Sequence, residues 1–345
     1  MRICEVLGGN EEGGLEKHFV ELCNGLSEQH DVIAIAHEKY RSRFAAAVRF
    51  EALDLARSRR NPRALWQLVR RINAVAPDVV HCHAHKAAAM VGTIRRWIRC
   101  PLVATAHGFK RDNSAFSGFD RVIAVSRGIA EHLATFPVTV VYNGIHWPPV
   151  AGMQLVEPSP FQTGQSSQRV QVLTVGRLVP EKGFDILLDA WQGLDADLLI
   201  VGEGPQRGAL EARLVELGLQ DRTRLLGHRD DVPALIAAAD LVVISSRRES
   251  FSYVMAETLL SRTPLISTRV AGPREFLPSA GLCEGDAAAL HHLLTQTLAD
   301  LPAYARLLEP VWARALEALH FDAMLSHTGQ VLQQTVKARK THGQA

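Results

Sequence analysis

The sequence has no apolar run approaching the ~18 residues that a membrane-spanning helix needs. Its first residues, MRICEVLGGN, enter a strand-like segment directly, without the basic, apolar and small-residue succession of a secretory leader. Cysteine is scarce and odd in number: five, at positions 4, 23, 82, 100 and 283, too scattered for a disulfide framework. There is no Cys-x2-Cys or His-Glu-x2-His spacing. A cytoplasmic chain is expected from these absences. Aromatic residues make up 6% of the chain and do not interleave with its basic runs, so no nucleic-acid platform is expected either.

What is present is ordinary globular material, 47% hydrophobic and 21% charged. At 345 residues the chain is long for one core and comfortable for two. The net charge of +2 hides an asymmetry. Residues 1–150 carry 20 Lys and Arg against 14 Asp and Glu; the remainder carries 18 against 22. The excess gathers in RSRRNPR (57–63), Arg70-Arg71 and RRWIR (95–99). Such runs form a solvated helix face, or they attract an anionic acceptor or lipid surface.

Short β-branched runs alternate with helix-period segments, the pattern of βαβ units and parallel sheets. Strands are expected at 2–8, 30–37, 78–83, 101–108, 121–126 and 138–143, with helices at 15–29 and 62–76 between them. The stretch WPPVAGMQLVEPSPFQTGQSSQ has linker composition. Beyond it the alternation restarts, with strands at 170–177, 196–204, 222–228, 240–246 and 263–270 and helices at 184–193, 205–218, 231–239 and 252–261. The reading is two doubly wound domains, 1–147 and 169–310, joined by a linker over 148–168. Residues 311–345 read as helices whose docking the pattern alone does not show. Ligands of open α/β sheets sit beyond the carboxyl ends of strands, which points to a cleft between two such domains.

Three segments of the second half carry chemistry. In SSRRESFSYVMAETLL (245–260) a buried strand ends, a polar loop bears Glu249, and Ser250 or Ser252 can cap the following helix. Glu257 lies in the second turn of that helix and leans back towards its start, where exposed amides suit a phosphate. In TVGRLVPEKGFDILLDAW (174–191), Arg177 and Lys182 follow a strand and can clamp a diphosphate, although the same pair would also suit a plain surface. In LLIVGEGPQRG (198–208) the glycines fall at 202, 204 and 208. The last is one place late for a dinucleotide turn, so the motif is weak evidence for NAD.

These segments, with EEGGLEKH (11–18), AHGF (106–109), VYNGI (141–145), LGHRDDVPALIAAADLVVISS and VAGPRE (270–275), resemble in order the GT-B glycosyltransferases, in particular retaining glycosyltransferase family 4. The resemblance covers most of residues 1–280. It implies a nucleotide-sugar site in the second domain: Arg177 and Lys182 on the diphosphate with amides near Ser252 and Tyr253, Glu249 against the sugar, Glu257 on the ribose hydroxyls, and Gly227, His228 and Arg229 near the base. In the first domain it implies that Gly13-Gly14 let the backbone approach the donor and that His107 faces the sugar or acceptor. The family commonly has glycine where this chain has Ser252, and its terminal helix often crosses back to the first domain, which the resemblance implies for residues 311–345.

HCHAHK (81–86) follows DVV, so alternation puts His81 and His83 on one strand face and Cys82 on the other. Two such histidines can ligate zinc, but no third ligand or carboxylate companion is visible in the sequence. No metal is expected. With the resemblance, His83 and Lys86 read instead as acceptor contacts. The expected activity is metal-independent, retaining transfer of a hexose from a nucleotide diphosphate, a UDP-sugar first, to a glycan or lipid-linked acceptor of lipopolysaccharide core or surface polysaccharide, on a cytoplasmic or peripheral membrane protein. The alternatives are a nucleotide-sugar epimerase of the same architecture and a non-catalytic binding module.

Overall fold

Runs such as VVHCH, LVATA and ADLLIV are enclosed along their whole length, as strands are when helices cover both faces of a parallel sheet. The computed structural model describes residues 1–11, 13–56, 58–146 and 169–342 and places these runs in two all-parallel sheets. The first contains β1 (Arg2–Leu7), β2 (Asp31–Ala36), β3 (Arg49–Ala52), β4 (Val79–His83), β5 (Leu102–Ala106), β6 (Arg121–Ala124) and β7 (Val138–Val140), ordered β3-β2-β1-β4-β5-β6-β7. The second contains β8 (Val170–Val175), β9 (Ala196–Val201), β10 (Thr223–Gly227), β11 (Leu241–Ile244), β12 (Leu265–Thr268) and β13 (Leu282–Cys283), ordered β10-β9-β8-β11-β12-β13. The expected linker lies outside the described residues.

The helices are α1 (Gly14–Leu26), α2 (Pro62–Val75), α3 (Ala84–Ile94), α4 (Arg127–His132), α5 (Phe184–Ala190), α6 (Arg207–Glu216), α7 (Val232–Ala238), α8 (Tyr253–Leu260), α9 (Pro273–Phe276), α10 (Ala287–Ala299), α11 (Leu301–Leu319) and α12 (Phe321–His342). Their ends follow local chemistry. The Asn61 side chain accepts from the Arg63 and Ala64 amides, and Pro62 supplies the helical φ at the first position of α2. Ser252, Asp286 and Asp300 cap α8, α10 and α11 in the same way.

Each sheet is doubly wound. Strand order reverses between β1 and β4 in the first and between β8 and β11 in the second. At a reversal the two departing loops turn to opposite faces and leave a crevice at the carboxyl edge. The register there fixes what meets: Glu5 lies opposite His81 and Leu7 opposite His83, while Val242 lies opposite Leu173.

By contacts the chain divides into Met1–Asn143 with the last helix from Asp322, and Gly144–Phe321. The boundary expected at 310/311 is corrected by this, because it cuts through α11. That helix continues past Pro310 and is tied into the second unit: Tyr304 Oη donates to the Leu265 carbonyl at 2.7 Å and Arg314 to the Phe276 carbonyl at 2.6 Å. Only α12 returns to the first unit, where Arg339 donates to the Cys100 carbonyl at 3.0 Å. Within the second unit, the residues at which the chain enters and leaves are joined. The Ile145 amide donates to Leu319 and the Phe321 amide to Ile145, both at 2.9 Å. No helix among the described residues is long and apolar enough to cross a membrane.

Candidate active site

The loops 176–183 and 245–252 leave β8 and β11, the neighbours at the second reversal. They are fastened to each other. Ser245 Oγ donates to the Lys182 carbonyl at 3.0 Å, the Arg247 amide to Glu181 at 2.8 Å, and the Arg247 guanidinium to the Pro180 carbonyl at 2.7 Å. Arg247 also grips both oxygens of Asp185, at 2.8 and 2.6 Å, and these hydrogen bonds hold the Asp185 carboxyl below its usual range. Gly183 stands at φ 64 with its α-carbon against Ser245, so that a Cβ would overlap the Ser245 carbonyl.

On this frame Lys182 Nζ donates to Glu249 Oε1 at 2.6 Å, and Ser246 Oγ donates to the same oxygen at 2.8 Å. Both ends of the ion pair are largely enclosed, 26% and 11% exposed, where solvent screens a pair less than at an open surface. Arg177, on the same loop as Lys182, is exposed and its guanidinium has no partner among the described residues. The structure thus joins Lys182 to Glu249 and leaves Arg177 a free cation nearby in sequence, on the loop that carries Lys182.

Helix α8 starts at once after Ser252, whose Oγ accepts from the Met255 amide at 3.3 Å. Ser252 takes φ 82, the left-handed side that favours glycine, which gives a physical reason for glycine at this position in similar enzymes. The Tyr253 ring stands edge-on to Phe251, and Glu257 is half-buried one turn further along α8.

Gly227 closes β10, the sheet edge two strands from β8, and His228 and Arg229 follow it. His228 is exposed beside Asp230, whereas Arg229 is taken by both oxygens of Asp231, at 2.8 and 2.7 Å. The VGEGP turn serves the same assembly by packing. The Gly202 amide donates to the Gly227 carbonyl at 2.8 Å, and its α-carbon lies so close to Gly176 that a Cβ would overlap that carbonyl. Close approach of backbones, not a dinucleotide, accounts for the glycine.

In the first unit, Gly13 is the residue before α1, with an extended φ of 168 that any residue adopts, and Gly14 opens the helix. A Cβ at Gly13 would make only ordinary contact, 3.4 Å from Glu16 Oε2, so neither conformation nor space demands glycine there. Lys86 Nζ donates to the Ala56 carbonyl at 2.6 Å. The expectation that His83 meets an acceptor is corrected: its ring is fully buried, and Nε2 lies 2.7 Å from Glu5 Oε2. His81 is equally buried, between Glu5 and Thr105 Oγ1. Burial pushes the Glu5 carboxyl up, but His81 and His83 outweigh it and hold it at about 2. Burial lowers His83 to about 4, with repulsion from His81 adding to it. His107 follows β5, half-buried, its imidazole held well below the usual range by burial and then by His18.

Sequence reasoning missed Glu5 and His18 as members of this cluster. The signal for Glu5 was a carboxylate inside the apolar run RICEVL, which a strand covered on both faces must pair.

Residues 12–146 match the family described as Glycosyltransferase Family 4, and residues 169–300 the family described as Glycosyl transferases group 1. Among curated proteins, the chain is 27% identical to the lipopolysaccharide core biosynthesis glycosyltransferase LpsE of Rhizobium meliloti, over 87% of this chain and 89% of that one. It is 25% identical to LpsD of the same organism, over 79% and 80%. Among solved structures, the Anabaena protein HepE in complex with UDP superposes with a TM-score of 0.81 at 20% identity, covering 97% of this chain and all of that one. The epimerase alternative finds no support in these comparisons. With two doubly wound parallel sheets and a family match in each half, the chain belongs to the GT-B glycosyltransferases of the family 4 type.

Proposed function

We propose that the protein transfers a hexose, with retention, from a nucleotide diphosphate donor to a glycan or lipid-linked acceptor of lipopolysaccharide core or surface polysaccharide. UDP is the first candidate nucleotide, supported by the UDP complex of the Anabaena neighbour, and the acceptor class is supported by the two Rhizobium relatives. The observation that carries the reading is the Lys182–Glu249 pair at the β8/β11 reversal.

In this reading Lys182, free Arg177 and the first amides of α8 meet the diphosphate, so that leaving-group charge is neutralised by fixed cations and dipoles without a metal at that position. Glu249 lies against the sugar and Glu257 takes the ribose hydroxyls. Tyr253 and Ser252 border the phosphates, and Gly227, His228 and Arg229 lie on the base side. Within the first unit, Gly13, Gly14 and His107 are assigned to substrate contact and Lys86 to the acceptor side. The bond from the anomeric carbon to phosphate oxygen breaks as the acceptor oxygen attacks from the same face, and the acceptor proton passes to the departing phosphate.

The basic first unit is assigned to the anionic surface of the cytoplasmic membrane. Trp66 and Trp97 support this, being 58% and 48% exposed with Arg70 and Arg96 stacked over them, a pairing suited to an interface with anionic headgroups. The test of function is thermal unfolding with UDP, GDP and ADP in turn, followed by transfer from the matching nucleotide sugar and assignment of the product anomer by NMR. UDP should raise the midpoint most, and the product should keep the donor's anomeric configuration. No midpoint shift with any of the three nucleotides, or an inverted product, rejects the reading.

A further inference from the structure

Two triads of metal-capable side chains share the buried cluster of the first unit, Glu5-His81-His83 and His18-His83-His107, each with one ligand atom per residue within 4.8 Å of the others. Hydrogen bonding separates them. In the first triad the facing atoms already satisfy one another: His81 Nδ1 and His83 Nε2 both lie on Glu5, and His81 Nε2 lies 2.7 Å from Thr105 Oγ1. In the second, His18 Nδ1, His83 Nδ1 and His107 Nε2 are each enclosed and without a hydrogen-bond partner among the described residues. Buried polar atoms are rarely left so. Three of them come from three different segments: α1, the end of β4 and the residue after β5.

The spacing fits an ion. The ring centres are 4.7 Å apart for His18 and His107, 5.7 Å for His18 and His83, and 6.0 Å for His83 and His107. Three imidazoles on one tetrahedral zinc, with Zn–N near 2.0 Å, hold their ring centres roughly 5 Å apart. Glu5 stands where a carboxylate stands behind a ligating histidine. By accepting from Nε2–H of His83 it fixes the tautomer that leaves the Nδ1 lone pair free. His107 is only half-buried, which gives an ion a way in.

We propose that His18 Nδ1, His83 Nδ1 and His107 Nε2 form a site for a d-block dication, zinc first, with Glu5 as the carboxylate that orients His83. An all-imidazole donor set selects such an ion over magnesium or calcium. The expectation of no metal rested on sequence spacing alone, and this proposal departs from it. The proposal shares His107 with the reading above, Nε2 serving the ion and Nδ1 being left for the sugar or acceptor, and is otherwise independent of the donor chemistry assigned to the second unit.

The test uses the full chain, without a polyhistidine tag, stripped with chelator and titrated with zinc chloride. One tight equivalent of zinc is expected, together with a rise in the thermal midpoint that magnesium chloride does not produce. His18→Gln should weaken zinc binding at least ~100-fold, and Glu5→Gln by about 10- to 100-fold. Cobalt(II) in the wild-type chain should give the intense visible bands of a tetrahedral ion, a readout that stands even if a variant fails to fold. The proposal is overturned if the wild-type chain takes up no stoichiometric zinc, if cobalt shows only the weak bands of an octahedral aquo ion, or if folded His18→Gln binds zinc like the wild type.

Discussion

Lys182 and Glu249, 67 residues apart in the chain, form a 2.6 Å ion pair between the loops that leave the two strands where the second sheet reverses. Removing either partner leaves the other largely enclosed and uncompensated. Lys182→Ala and Glu249→Ala are each expected to cut turnover by at least ~100-fold, on the scale of one lost electrostatic contact in a transition state. Turnover numbers measured at saturating donor, with circular dichroism to establish folding, check this. Near-wild-type rates in both variants would remove the pair from the mechanism.

Ser252 pairs a strained backbone with a useful hydroxyl. A non-glycine residue at φ 82 is strained by about 1–3 kcal/mol, while exchanging a serine cap for glycine loses only a few tenths of a kcal/mol. Ser252→Gly should therefore stabilise the second unit by about 1 kcal/mol, and Ser252→Ala, which keeps the strain and loses the cap, should destabilise it by a similar amount. Urea midpoints rank the three chains; glycine falling below alanine contradicts the account.

Two glycines six positions apart should respond in opposite directions. Gly202→Ala drives a Cβ into the Gly176 carbonyl and should destabilise by about 3 kcal/mol or abolish soluble expression. Gly208 lies in α6 with open space around its would-be Cβ. Gly208→Ala should stabilise by about 0.5–1 kcal/mol through helix propensity alone. Equal effects from the two substitutions would contradict the packing argument.

The five cysteines are free. Burial pushes the thiols of Cys4, Cys23 and Cys82 well above the usual range, and those of Cys100 and Cys283 to about 11. A raised thiol pKa means less thiolate: at pH 8 a thiol of pKa 11 is only about 0.1% ionised. The native protein should react slowly with Ellman's reagent at pH 8, faster by about tenfold per pH unit towards 11, and should yield five equivalents once denatured. Rapid stoichiometric reaction of the native chain at pH 8 would show that burial does not govern these thiols.

Much of this architecture was legible in the sequence, because strands covered on both faces announce themselves as apolar runs. LVVI and ADLLIV needed nothing else. RFEA did not, since β3 is a half-exposed edge strand with alternating charge. The end of the second unit differs from the expected 310 because a helical pattern over LEPVWARALEALHF does not say which unit the helix packs on. Lys182 and Glu249 could be named from short motifs, but their contact depends on which strands become neighbours. Glu5 was harder still. Its meeting with His81 is a matter of parallel register across 76 residues, which periodicity within one strand does not carry.

Where Gly202 backs onto Gly176 and Gly183 onto Ser245, no side chain separates the loops. Their lengths and paths are mutually locked. Altering ligand preference in this unit is therefore a matter of exchanging projecting groups such as Arg177 and Tyr253, and libraries that insert or delete residues in these turns should return mostly unfolded chains.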